Sequence, residues 1–213
     1  MKMKANNYLY FDIFFLAIIY LAGIIGIYFF NSELFVKTSF VSILIPLFLY
    51  CFRAVKSAKD YFLFSLIFIV GYFAEYLGVN FQLLFGEYAY GDSLGIKLYG
   101  VSLIIGLNWL LLVLVSNEIV AYIFSNKWVI IVLSSFLMVL IDVFIEPVAP
   151  KLDFWKFSDN PVPFSNYRDW FFIAVIMQYI LSFRTSKHPM FKWSISYLII
   201  LLLFFSFFHL ALT

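Results

Sequence analysis

Seven apolar stretches, each near the length that crosses a lipid bilayer, dominate this 213-residue chain. A helix rises about 1.5 Å per residue and the hydrocarbon core is about 30 Å thick, so roughly 20 apolar residues make one crossing. The stretches run from Leu9 to Phe30, Leu34 to Phe52, Tyr61 to Val79, Leu98 to Val115, Trp128 to Ile145, Trp170 to Phe183 and Phe191 to Leu212. The sixth is short; it either begins earlier, near Tyr167, or lies tilted against its neighbours. The first is too long for a signal-peptide core and no small-x-small cleavage site follows it, so it is expected to be retained. The fold class is therefore all-α: a polytopic membrane bundle of about seven transmembrane helices, forming a single domain over residues 1–213.

Composition agrees, because 65% of the residues are hydrophobic and 12% charged, against about 45–50% and 25% in a soluble chain. A net charge of +2, scattered over loops, gives no nucleic-acid footprint. Cys51 is the only cysteine, which excludes an internal disulfide and a Cys-based metal site. Neither a Gly-x-Gly-x-x-Gly turn nor a phosphate-binding loop is present, so no cofactor or metal is expected. Aromatic residues make up 23% of the chain, more than interfacial belts require, and point to a flat apolar ligand. No internal repeat is visible.

The basic residues set the orientation. Lys2, Lys4, Arg53, Lys56, Lys59, Lys127, Arg184, Lys187 and Lys192 fall on the side of the N-terminus, whereas Lys37, Lys97, Lys151, Lys156 and Arg168 fall opposite. The N-terminus is therefore expected in the cytoplasm and the C-terminus outside. Glu33, Glu87, Asp92, Asp153, Asp159 and Asp169 share the outer side. The two longest loops, Asn80 to Lys97 and Pro147 to Asp169, also fall there and look like lids, their aromatic content suiting loops that either lie on the membrane surface or fold back over a cavity.

Three acids lie inside apolar stretches, where each costs about 2.5–3.5 kcal/mol unless it faces a bundle interior. Asp142 and Glu146 stand four residues apart on one helix face, about 6 Å along the axis. Pro147 ends that helix, so Glu146 lies in its last turn, where unpaired carbonyls and lost hydration favour the neutral acid. Glu75 shares the outer half of the third stretch with Gly71 and Gly78, whose small size permits close packing. Alternating passage brings all three acids to one end of the bundle. The structural alternatives are a solvated helix end for Glu146 and helix-to-helix hydrogen bonds for Asp142 and Glu75. Asp12 is read as interfacial. Asn108 and Trp109 lie about ten residues into the fourth stretch, about 15 Å deep, and Asn108 either orients a water or carboxyl group or bonds another helix. His209 is either a proton relay or a packing residue, and His188, in a basic loop, carries no signal. Tyr72, Tyr76, Tyr88, Tyr90, Trp109 and Trp155 lie near the acids or in the two loops, and their ring faces suit a cation in a dry site.

Glu75-x-x-Gly78-Val79, Phe85-Gly86-x-Tyr88-x-Tyr90, Leu94-Gly95, Gly100-Val101, Trp109, Asp142-x-x-x-Glu146-Pro147 and Trp155, taken in order, resemble the membrane carotenoid biosynthesis proteins that include carotenoid 1,2-hydratases and bisanhydrobacterioruberin hydratases. Two positions depart: Ser102 stands where relatives are expected to have Pro, and Glu146 where many have Asp. The resemblance implies a cofactor-independent hydro-lyase of a bacterial or archaeal cell membrane, adding water across the terminal 1,2 double bond of an acyclic carotene such as lycopene. A compatible mechanism has Asp142 as proton donor, Glu146 or Glu75 orienting water, and the aromatic faces stabilising the carbocation. The polyene tail is expected between helices, entering from lipid. A carotenoid cyclase uses the same protonation and is the nearest alternative; a proton-coupled transporter is the non-enzymatic one. Oligomeric state is open.

Overall fold

The computed structural model describes residues 2–30, 33–158, 161–185 and 190–212, with backbone alone for residues 2–7. Asp159, Lys187 and His188, and the side chains of Lys2 and Lys4, lie outside the described residues. The described residues fold into eight α-helices, a short 3-10 turn at Ala149–Leu152 and four short strands: α1 Lys2–Ile24, extended by a π turn Ile25–Phe29, α2 Glu33–Lys37, α3 Val41–Ala54, α4 Ala58–Phe81, β1 Tyr88–Tyr90, β2 Lys97–Leu98, β3 Val101–Ser102, α5 Leu103–Ile123, α6 Lys127–Ile145, β4 Trp155–Phe157, α7 Phe164–Leu181 and α8 Phe191–Leu212.

Five of these helices are long and apolar enough to cross a membrane: α1 with its π turn, α4, α5, α6 and α8. The chain is an integral membrane helical bundle. The other two expected crossings correspond to shorter or more polar elements. Leu34 to Phe52 is broken into α2 and α3, because Thr38 Oγ1 bonds the Leu34 carbonyl at 2.9 Å and Ser42 Oγ the Ser39 carbonyl at 2.6 Å, local bonds that compete with a continuous helix. α7 starts at Phe164, earlier than either Trp170 or Tyr167, and its first turns carry Asn166, Arg168 and Asp169.

The fourth stretch is displaced. Tyr99 and Gly100 adopt positive φ values of 50° and 79°, the two-residue turn that joins twisted strands. Leu98 to Val101 is therefore a hairpin, with Leu98 paired to Val101, and the helix begins at Leu103. Asn108 then lies in the second turn of α5, only about 8 Å from its start, rather than at mid-depth. The helix also continues past Val115 to Ile123, carrying Glu118.

α5 is the axis of the bundle. Of its apolar window 72% is buried, against 22% for α1 at the periphery, and α3, α4, α6, α7 and α8 all pack on it. Gly71 lets α4 approach it closely, since a Cβ there would lie 2.8 Å from that of Trp109. At the end where α4 begins, Ser57 and Asp60 form a reciprocal cap, a device contributing about 1 kcal/mol. Arg184 bonds Asp60 at 2.9 Å and the Ala54 carbonyl at 2.6 Å, and stands 3.7 Å from Glu118. Asp12 is buried rather than open to water, and Arg53 grips both its oxygens at 2.9 and 3.1 Å. Removing that acid from water requires such a partner.

At the other end the two long loops are not independent lids. They pair as one antiparallel strap, Tyr88 opposite Phe157, Ala89 opposite Lys156 and Tyr90 opposite Trp155. Alternation turns Tyr88, Tyr90 and Phe157 inward and leaves Ala89 and Lys156 exposed. Asp153 fastens the strap by accepting from Asp92 N at 2.8 Å and Ser93 Oγ at 3.0 Å.

Candidate active site

Beneath the strap, α4, α5, α6 and α7 enclose a chamber lined by Glu75, Asp142 and Glu146 together with Phe85, Tyr88, Tyr90, Ile105, Asn108, Trp155, Phe157, Asn166 and Trp170. Its space open to water centres is about 20 Å³, room for about one water.

Glu75 is 2% exposed, yet its oxygens are surrounded by donors. The Tyr88 hydroxyl and the Tyr90 hydroxyl, the latter at 2.7 Å, both reach Oε2, and Trp109 Nε1 donates to Oε1 at 2.8 Å. Gly78, one turn along α4, makes this possible: a Cβ there would sit 2.8 Å from the Tyr88 hydroxyl oxygen. Trp109 is held from behind, its ring stacked 3.7 Å from that of Trp170. Phe85 closes this side, its backbone N–H bonded to Asp169 Oδ2 at 2.9 Å.

Asp142 and Glu146 come from successive turns of α6. Glu146 keeps helical geometry despite the following proline, its N–H bonded to the Asp142 carbonyl at 2.9 Å. One amide joins the pair: Asn166 Nδ2 donates to Asp142 Oδ2 at 3.1 Å and to Glu146 Oε1 at 3.2 Å. Trp155 Nε1 donates to Glu146 Oε2 at 3.1 Å. Glu146 is the first residue beyond the spanning helix. Burial raises its carboxyl from 4.5 to about 7, opposed by the bonds from Trp155 and Asn166.

Of the residues singled out from sequence, Glu75, Tyr88, Tyr90, Asn108, Asp142, Glu146 and Trp155 meet in this chamber, and Trp109 reaches it through Glu75. Tyr72 and Tyr76 do not line it: Tyr72 bonds the Leu98 carbonyl at 2.6 Å, and Tyr76 packs edge-on to Phe81 and Tyr99. Both are drawn to the hairpin side of α4. His209 lies 2.7 Å from the Phe144 carbonyl, outside the chamber lining. Sequence reasoning missed Asn166 and Trp170. Their i, i+4 spacing is the signal, visible once α7 is started before Asn166. Among the described residues no group of His, Cys, Asp and Glu has the arrangement to hold a metal ion.

Membrane-crossing helices and three carboxyl groups converging in an aromatic chamber define an integral membrane protein with an internal acid site. A family model described as carotenoid biosynthesis protein matches residues 35–213, a span that contains the whole site. The chain belongs to that family, and its role is in carotenoid biosynthesis. No curated protein and no solved structure matches it. Ser102, the departure noted above, is buried and donates to the Leu94 carbonyl, tying β3 to the preceding loop.

Proposed function

We propose that this protein is a carotenoid 1,2-hydratase of a bacterial or archaeal cell membrane, with its N-terminus in the cytoplasm, acting without a cofactor on an acyclic carotene such as lycopene. The observation that carries the reading is the convergence of Glu75, Asp142 and Glu146 on one aromatic-walled chamber. Two carboxyls sharing the Asn166 amide hold one negative charge between them more cheaply than two, so the pair retains a proton. Asp142, the deeper member, delivers it to C2 of the terminal double bond. The π electrons form the new C–H bond and C1 becomes a tertiary cation. Glu75, ringed by three donors that suit an anion, supplies the counter-charge, and the faces of Tyr88, Tyr90 and Trp155 add to it. Water attacks C1, and its released proton returns to the Asp142/Glu146 pair, so the enzyme gains and loses none.

Capture by water rather than ring closure rests on the resemblance to the carotenoid hydratases, and the chamber has room for about one water beside the acids. The half-buried Asn108 amide forms no hydrogen bond with a described residue and faces this space, where it is placed to orient the water. Expression in bacteria that accumulate lycopene tests the reading by pigment mass. Gain of one or two waters is expected. An unchanged mass with a new retention time makes the protein a cyclase, and untouched lycopene removes it as the substrate.

A further inference from the structure

A second cavity lies between α1, α3 and α8, with about 40 Å³ open to water centres. Ile105, Asn108 and Trp155 belong to the walls of both cavities, so the two share a wall. Its walls are hydrocarbon in character, formed by Leu94, Ile145, Leu201, Phe154, Phe204 and Phe205, and no carboxylate, Lys or Arg lines it. The hydroxyls at its margin have partners: Tyr20 bonds the Ser42 carbonyl at 3.0 Å and stands 3.3 Å from the Tyr197 hydroxyl, and Ser42 bonds the Ser39 carbonyl. A ligand here meets apolar surface and satisfied hydroxyls, with the Asn108 amide only at the wall shared with the acid chamber. Burial of a hydrocarbon chain is what such a wall rewards.

We propose that this cavity is the subsite for the polyene chain next to the reacting end, entered between the helices and joined to the acid chamber past Asn108 and Trp155. The assignment rests on the hydratase reading for the identity of the ligand, a long acyclic polyene. Continuity with the acid chamber selects that occupant, because a chain whose end reaches Asp142 has to leave the chamber through an apolar wall. Trp155 is the fixed jamb of this doorway, its indole N–H bonded to Glu146. The polyene is therefore held by α1, α3 and α8 while its end is held by α4, α6 and α7.

An achiral polyene shows visible circular dichroism only when a chiral site holds it, so lycopene in phosphatidylcholine nanodiscs reports occupancy without turnover. With Asp142→Asn protein, a lycopene-induced band is expected. Adding Leu201→Trp from α8, or Ile43→Trp from α3, fills the cavity and is expected to weaken lycopene binding about tenfold or more, the consequence of overpacking a closed site. Adding Leu203→Trp, at a position 64% exposed on the outer surface of α8, leaves the band unchanged. Retention of the band in both filled variants overturns the subsite. So does absence of the band in Asp142→Asn alone, including the case in which phospholipid acyl chains occupy the cavity. The two proposals fail separately: hydration by the unsubstituted protein with undiminished bands in the filled variants sinks only the subsite. A band lost on filling, with lycopene released unhydrated by the unsubstituted protein, sinks only the hydratase reading.

Discussion

At the scale of the residue, the proposed chemistry depends on how three carboxyls are partnered. Asp142→Asn keeps the shape and the Asn166 contact but has no proton to give, so conversion of lycopene is expected to fall by at least about a hundredfold, with membrane content unchanged on quantitative blotting. Full activity would transfer the donor role to Glu75 or Glu146. Asn166→Leu removes the amide shared by Asp142 and Glu146. Each bond to a charged group is worth about 1.5–3 kcal/mol, and initial rates are expected to drop about tenfold or more. Glu146 carries a pH signature of known sign. Its folded carboxyl is raised from 4.5 to about 7, so the folded state binds more protons than the unfolded state between those values. The contribution of Glu146 to stability is therefore fully present below about 4.5 and is lost as pH rises through about 7. Melting temperatures measured across that window should fall less in Glu146→Gln than in the unsubstituted protein; parallel curves would show that Glu146 is not the titrating group.

At the scale of the element, the strap is the part that hydropathy does not describe. The sequence shows two aromatic loops on one side of the membrane, and the structure joins them residue by residue through β1 and β4. If the polyene enters between helices, the strap can stay closed during turnover. Ala89 and Lys156 are exposed and directly opposite, so paired cysteines there are placed to cross-link the strap. The oxidised double variant is expected to keep its conversion rate and to gain about 2–4 kcal/mol of stability. Loss of conversion that a reductant restores would mean that substrate passes through the strap. The hairpin between β2 and β3 teaches the same lesson on a smaller scale. Tyr99-Gly100 marks a two-residue turn, but the surrounding apolar run masks it, and a helix begun at Leu98 sets Asn108 too deep.

At the scale of the whole molecule, the acid chamber and the Arg184 network occupy opposite ends of the bundle, the first the proposed site of reaction and the second an ion-pair network. Arg184 is 9% exposed at its side chain and ties α3, α4 and α5 to the end of α7 through Ala54, Asp60 and Glu118. Arg184→Met removes the guanidinium from buried Asp60 and from half-buried Glu118, and breaking the buried pair costs about 3–5 kcal/mol. Thermal stability is expected to fall while the conversion rate per folded molecule is kept; a rate that collapses in still-folded protein would couple the two ends. The sequence by itself determined the membrane environment, the positions of most helices and the end of the bundle where the acids gather. Apolar length and the cost of burying charge act locally, and the alternation of crossings carries them to the correct side. Only the tertiary structure decided the pairing of the strap, the Asp12–Arg53 ion pair and the joining of Asp142 to Glu146 by Asn166. Those contacts link residues 20 to 69 positions apart in the chain, where no helical or strand period extends and side-chain packing alone selects the partner.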